Sequence, residues 1–195
     1  MTEIENKITN LLNKNQNYVV ALSGGVDSSV LLHLVHSYTP NVRSVFVNHN
    51  QKDSDKLQKS AENIAKDLDI EHANLDTQLD SDASETKMRN ARYKALFNNM
   101  HQDEILLLGH HNDDRVETFL INLFRGTRLK GLLSIKQETK SILRPLIDIK
   151  KSSIIKYAQD KKINFLEDST NKDNTILRNW LRNEIIPRIE KNFKG

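Results

Sequence analysis

The segment Ser23, Gly24, Gly25, Val26, Asp27, Ser28 and Ser29 lies between the apolar runs YVVAL and VLLHL, and it sets two of the chain's 6 glycines side by side. Glycines at the end of a strand let backbone amides close on an anion with no side chain between. The helix that follows adds its unsatisfied N–H groups and the positive end of its dipole. Ser23 and Ser28 add hydroxyl donors. Asp27 would repel a phosphate unless a cation stood between them, which makes it the candidate ligand of a Mg2+ ion carried by a nucleoside triphosphate. The spacing is neither GxxxxGK[ST], since no lysine follows, nor GxGxxG. Spacing alone also fits a plain strand-to-helix turn in which Asp27 and Ser28 are capping residues.

A second constellation closes the run EILLLG. His110 and His111 end it, and Asp113, Asp114 and Glu117 fall in the first turns of the helix predicted to follow. Asp114 and Glu117 are three apart and share a helical face. Two carboxylates turned to one pocket suit a cationic substrate, and one of them can accept a proton from an attacking amine. Helix capping by Asp113 and dipole pairing by the other acids is the competing reading. Adjacent strand histidines point to opposite faces and share one ion poorly. One of the pair is therefore expected to face phosphate and the other to be structural, with the choice left open. Arg89 and Arg92, beside Tyr93, and Arg178 and Arg182 each present two guanidinium groups together, to phosphate, RNA backbone or solvent. His33, His36, His72 and His101 carry no pattern, and Trp180 is assigned to packing.

The elements that must position these groups alternate. YVVALS (18–23), RSVFVNH (43–49), EHANLD (71–76) and EILLLGHH (104–111) read as strands. Helices are predicted after the glycines, over 53–69 with Leu57, Ala61, Ile64, Ala65 and Leu68 on one face, over 84–100, and over 113–124 with Val116, Phe119, Leu120, Leu123 and Phe124 inward. A polar loop is expected around DSDAS. SILRPLI reads as a last edge strand, Pro145 being excluded from a central one. SSIIKYAQDKK and ILRNWLRNEIIPRIEKNF read as helices, the second kinked or divided at Pro187. Four alternations of strand and helix imply an α/β fold, a doubly wound parallel sheet with helices on both faces and a C-terminal helical extension. In such sheets ligands bind beyond the carboxyl ends of the strands, where both constellations stand.

Composition narrows the chemistry. The 195 residues contain no cysteine, which excludes disulfides, cysteine-ligated metals and thiol nucleophiles within them. No run reaches the ~18 apolar residues of a membrane span, and MTEIENKITN lacks the character of a secretory signal, so a cytoplasmic protein with no membrane association is expected. Residues 1–139 hold 16 Lys and Arg against 19 Asp and Glu, whereas residues 140–195 hold 13 against 7. A basic C-terminal part suits a polyanion such as RNA, or a lysine-rich solvated surface.

SGGVDSS resembles the SGGxDS pyrophosphatase loop of the ATP pyrophosphatases, the PP-loop superfamily. SETKMRNARY, GHHNDDRVETFLINLFRGT, RPLI and EDSTNKDNTILRNWLRNEIIP resemble, in order, the further motifs of one branch, the tRNA(Ile)-lysidine synthetases, over about residues 18–188. The resemblance implies that residues 1–195 form one catalytic domain, with a nucleotide-binding core over about 1–140 and a basic extension over about 140–195. The family's C-terminal RNA-binding domains would be absent, as in a short form or an excised core. It implies ATP and Mg2+ as cofactors, and tRNA(Ile) with a CAU anticodon and free L-lysine as partners. Lysine would be joined to C2 of the wobble cytidine through an adenylated intermediate, with release of pyrophosphate and AMP. A homodimer is a family expectation.

Carried over by motif, Ser23, Gly24, Gly25, Val26, Asp27 and Ser28 bind ATP, assisted by His49, His111, Arg125 and Gly126. Asp27, His110, Asp114 and Glu117 are the catalytic candidates, with Asp27 on the metal. Asp113, Asp114 and Glu117 bind lysine, and Arg89, Arg92, Arg178 and Arg182 bind tRNA or phosphate. The chain departs from the family where FVNHNQKDS keeps His49 but replaces Gly-Leu-Arg by Asn50, Gln51 and Lys52, and where Arg128 follows RGT. The rival readings are another ATP pyrophosphatase, either a tRNA thiolase, which the lack of cysteine opposes, or an amide-forming synthetase, and a sensor that binds ATP without turnover.

Overall fold

The computed structural model describes residues 1–50, 53–77, 84–132, 135–166 and 173–193. In chain order the elements are α1 (Glu3–Leu11), β1 (Asn17–Ala21), α2 (Val26–Tyr38), β2 (Val42–Asn48), α3 (Ser54–Asp67), β3 (His72–Asp76), α4 (Glu85–Asn99), β4 (Glu104–Leu107) and α5 (Asn112–Phe124). Then come α6 (Leu129–Leu132), β5 (Glu138–Thr139), β6 (Ile142–Leu143), α7 (Lys151–Asp160), α8 (Leu177–Trp180), a π-helical turn (Leu181–Ile185) and α9 (Ile186–Asn192).

The strands form one sheet in the order β3-β2-β1-β4-β6-β5, parallel except for the β5–β6 pair. Strand order reverses between β1 and β4, and a crevice opens at their carboxyl ends. Central parallel strands are covered on both faces, hence the nearly continuous apolar runs of β1, β2 and β4. Val20, Phe46, Leu107 and Leu143 pack under α1, α2, α3 and α7, against Ile8, Leu31, Ile64 and Ile154. Val19, Val45, Leu106 and Ile142 point the other way, against Leu96 of α4. Fully burying each such side chain contributes about 1.5–3 kcal/mol. The first core includes Leu146, Ile149, Tyr157 and Ala158, so packing runs without a break across residue 140.

Two expectations change. The edge strand is β5, because β6 accepts a short antiparallel partner on its outer side and ends before Pro145. The last helix is not divided at Pro187: it widens into the π turn just ahead of the proline, which sits in the first turn of α9. A proline there lacks an N–H and would clash with the carbonyl four residues back, and the wider turn relieves both problems. The loop expected around DSDAS and the segment 167–172 of EDSTNKD lie outside the described residues.

Candidate active site

The loop between β1 and α2 is folded by its own hydroxyls. The Ser23 N–H donates to Ser28 Oγ at 3.0 Å, and the Ser28 and Ser29 hydroxyls donate to the Gly25 carbonyl at 3.1 and 2.8 Å. Gly24 has φ +78°, and a Cβ there would lie 2.5 Å from the Leu57 carbonyl oxygen. Its own carbonyl accepts from the Leu166 N–H at 2.9 Å and the Ser60 hydroxyl at 3.2 Å. The turn thus presses on α3 and needs glycine on both steric and conformational grounds. Gly109, which sequence reasoning did not single out, serves a similar purpose. A Cβ on it would reach within 3.1 Å of the Asp27 and Ser28 backbone, so a bare backbone lets the end of β4 approach the first turn of α2.

Between these ends lies a cavity of about 380 Å3. The loop contributes Ser23, Asp27 and Ser28, the end of β2 contributes His49, α4 contributes Arg92, and His110, Asp114 and Arg178 complete the polar lining. Leu22, Phe46, Leu57 and Leu108 form an apolar wall. One cavity therefore gathers residues from six parts of the sequence, with the backbone loop, ionisable groups and apolar side chains all in its lining, a combination that suits a nucleotide.

His110 is the histidine that faces the cavity. Burial is the main force pushing it down, to about 3, against the pull of Asp114 and with help from Arg144, Arg92 and Arg89, so its imidazole is neutral. His111 is buried behind it, with Nε2 3.7 Å from Asp27 and 3.5 Å from Asp114, and Nδ1 3.9 Å from Asp113. It braces three acids and does not line the cavity. Burial works to raise Asp114, but the charge of His111 and a 3.0 Å hydrogen bond from the His111 N–H hold it below the usual carboxylate range. His49 lies at the rim with Nδ1 3.0 Å from the Thr77 hydroxyl, and burial first, then Arg92, lowers its pKa.

The helix that carries the acids is turned differently from the expectation. Val116, Phe119, Leu123 and Phe124 are exposed, Phe124 by 64%, and the residue that α5 buries is Glu117. Its carboxylate accepts from Arg182 Nε at 2.6 Å and Nη2 at 3.0 Å, and Arg178 Nε stands 3.5 Å away. Burial raises the Glu117 pKa while Arg182 opposes the shift. Glu117 is therefore not open to the cavity: Asp114 is the acid of α5 that lines it, and Arg182 reaches Asp114 at 3.6 Å. Arg178 lines the cavity and donates to the Thr118 hydroxyl at 3.1 Å. The apolar spacing of α5 concealed this, since the partners of Glu117 lie more than 60 residues further on.

Asp113 turns outward to accept from the Lys151 N–H at 3.2 Å. Arg89 lies over the Tyr93 ring, 5.2 Å from its centroid, and Tyr93 also accepts from the buried Arg144 at 3.3 Å. Arg125 and Gly126 are not brought to the cavity. They follow the last turn of α5, about 20 Å of helix from its start. Lys151 was missed altogether. Its Nζ sits 2.6 and 2.7 Å from the two oxygens of Asp27, and its only sequence signal was the basic balance of the C-terminal part.

Magnesium binds through one or two carboxylates together with substrate phosphates, keeping waters for the rest. Asp27, on the cavity wall beside the backbone cradle, fits that donor set. Among the described residues no group of three His, Cys, Asp or Glu could hold a metal unaided. No helix among them is long and apolar enough to cross a membrane.

The tRNA(Ile)-lysidine synthase of Actinobacillus pleuropneumoniae serotype 3 (strain JL03) is 35% identical over 185 residues, which cover 92% of this chain and 44% of that protein. The tRNA(Ile)-lysidine synthase of Vibrio vulnificus (strain YJ016) is 37% identical over 192 residues, again 92% of this chain and 44% of the relative. The chain thus spans less than half the length of these curated relatives. Among solved structures, the U34-tRNA thiolase NcsA from Methanococcus maripaludis superposes with a TM-score of 0.78 at 20% identity, over 99% of this chain and 73% of that one, a likeness of fold. A family model described as the PP-loop domain matches residues 1–189, and the chain belongs to that family.

Proposed function

We propose that this chain is the nucleotide-binding catalytic part of a tRNA(Ile)-lysidine synthase. The cytosine O2 of the wobble nucleotide attacks the α-phosphorus of ATP, pyrophosphate leaves, and the amine of free lysine then attacks C2 and displaces AMP. The observation that carries this reading is the meeting of the Ser23–Ser28 loop, neutral His110 and ionised Asp114 in one cavity of a PP-loop domain whose relatives are lysidine synthases.

The loop amides and the first turn of α2 receive the phosphates. Mg2+ held between Asp27 and those phosphates would supply charge neutralisation as the pyrophosphate departs. Arg92 of α4 lines the same cavity as the loop and offers a guanidinium to the phosphate that is transferred. Asp114 is the acid open to an incoming ammonium, and it can accept the proton that lysine must lose before it reacts. Glu117 holds Arg182 and through it the rear of Asp114, a positioning role. A thiolase reading fits the fold but not the residues, because these 195 positions offer no cysteine.

The test is incubation of the chain with unmodified tRNA(Ile) transcript, ATP, Mg2+ and labelled lysine, followed by nucleoside analysis. Labelled lysidine and tRNA-dependent pyrophosphate release are expected. ATP binding with no pyrophosphate release would favour a sensor, and release with no lysine in the tRNA would point to another member of the superfamily.

A further inference from the structure

Three helix starts converge on the phosphate loop. Lys151 opens α7, and its ammonium is held by both oxygens of Asp27 in the first turn of α2. Its backbone N–H donates to Asp113 in the first turn of α5, and the Asn112 N–H donates to the Ile149 carbonyl at 2.9 Å. These bonds fix where Lys151 stands while leaving its four-carbon stem free to turn. Both side chains of the Lys151–Asp27 pair keep 29% of their exposure, so the pair sits at the rim and is not sealed in the core. Such a pair gives little net stability, and a polyphosphate is a stronger partner for the ammonium than one carboxylate. Asp27 keeps a second neighbour besides Lys151, His111, whose Nε2 lies 3.7 Å from its Oδ1.

We propose that Lys151 is a phosphate-binding residue that exchanges Asp27 for the β- and γ-phosphates of the nucleotide, leaving the Asp27 carboxylate to the Mg2+ those phosphates carry. The proposal rests on the ATP-pyrophosphatase reading of the site. When the nucleobase oxygen forms its bond to the α-phosphorus, the bond from that phosphorus to the α,β-bridging oxygen breaks and its electron pair stays on pyrophosphate. Lys151 then neutralises charge on the leaving group. In the nucleotide-free protein the same lysine keeps Asp27 from repelling an incoming phosphate. A mobile point charge suits this exchange better than the rigid fork of an arginine.

Calorimetric titration with pyrophosphate, ATP and AMP in Mg2+ tests it on the wild-type chain, Lys151→Met and Lys151→Arg. Loss of a charge-assisted contact should weaken pyrophosphate and ATP binding by about tenfold or more in Lys151→Met while leaving AMP affinity unchanged. Lys151→Arg should restore most of the loss. Equal pyrophosphate affinity in Lys151→Met and wild type, or an equal loss for all three ligands, would overturn the role of the lysine. A wild-type chain that binds neither pyrophosphate nor ATP would instead bring down the nucleotide reading itself, and the proposal with it. Should Lys151→Met not fold, amine labelling of the wild-type chain read by peptide mass spectrometry decides the matter. Pyrophosphate should change the labelling rate of Lys151 and AMP should not, and identical rates with and without pyrophosphate would refute the exchange.

Discussion

Arg182 grips Glu117 through two hydrogen bonds, 2.6 and 3.0 Å long, around a carboxylate that has no solvent exposure. Removing one member of a buried pair costs roughly 3–5 kcal/mol, because the other is left desolvated and alone. Arg182 keeps 34% of its side-chain exposure, so water relieves part of the penalty and the lower end of that range applies. Arg182→Met should therefore lower the urea midpoint clearly. The double variant Glu117→Leu with Arg182→Met should recover part of the loss, since the buried carboxylate goes with its main partner, while Arg178 and Asp114 each lose one charged neighbour. A single variant as stable as wild type would show that the carboxylate is not dependent on its partner.

Two glycines with positive φ give opposite expectations. Gly24→Ala must place a methyl 2.5 Å from a backbone carbonyl of α3, whereas Gly126 has nothing within 4 Å of an added Cβ. Gly126→Ala should cost only the left-handed backbone term, about 1–2 kcal/mol. Gly24→Ala adds a clash that shifts either the loop or α3, and roughly 3 kcal/mol or more is expected from the two together. Denaturation curves measure both costs. ATP titration should show binding lost in Gly24→Ala alone, and equal binding in the two variants would mean that the cradle does not hold the phosphates.

The orientation of α5 is open to a simple stability test. Leu123 is 47% exposed and Leu107 of β4 is fully buried. Leu123→Gln should change stability by less than about 0.5 kcal/mol, as surface substitutions do. Leu107→Ala should cost about 2–5 kcal/mol. A large loss at Leu123 would return α5 to the inward-facing arrangement that its apolar spacing suggested.

That spacing marks the boundary of what was legible in the sequence. The strands β1, β2 and β4 were readable because parallel strands buried on both faces leave unbroken apolar runs, and Gly24 and Gly25 marked a strand-to-helix turn through local turn chemistry. The serines of the loop were readable for the same reason, since the hydrogen bonds by which their hydroxyls fold the turn span five positions or fewer. What failed was non-local. The apolar stripe of α5 pointed to the wrong face because Glu117 is buried by arginines from a distant helix, an arrangement to which a periodicity argument is blind. Lys151 finds Asp27 across more than 100 residues, and no local pattern announces such a pair. His110 and His111 could be assigned different duties but not told apart, because the chain has left the regular strand before reaching them.

The pH dependence of stability should carry the signature of His110. Burial chiefly lowers its pKa, to about 3, while an unfolded histidine titrates near about 6.5. Between those values the unfolded chain binds a proton that the folded chain refuses. The stability tied to the neutral imidazole is therefore complete above about pH 6.5 and is lost as pH falls towards about 3, by up to roughly 1.4 kcal/mol per pH unit. His33, His49 and His72 are lowered as well, but they are common to wild type and variant and cancel in the difference. Asp114 interacts with His110, and since its own pKa is held below the usual carboxylate range it stays ionised at about pH 5 and above. Urea denaturation at about pH 7.5 and about pH 5 should then show a smaller loss for His110→Gln than for wild type. The same loss in both would mean that His110 takes up its proton in the folded state as readily as in the unfolded chain, and that the imidazole in the cavity is not held neutral by its burial.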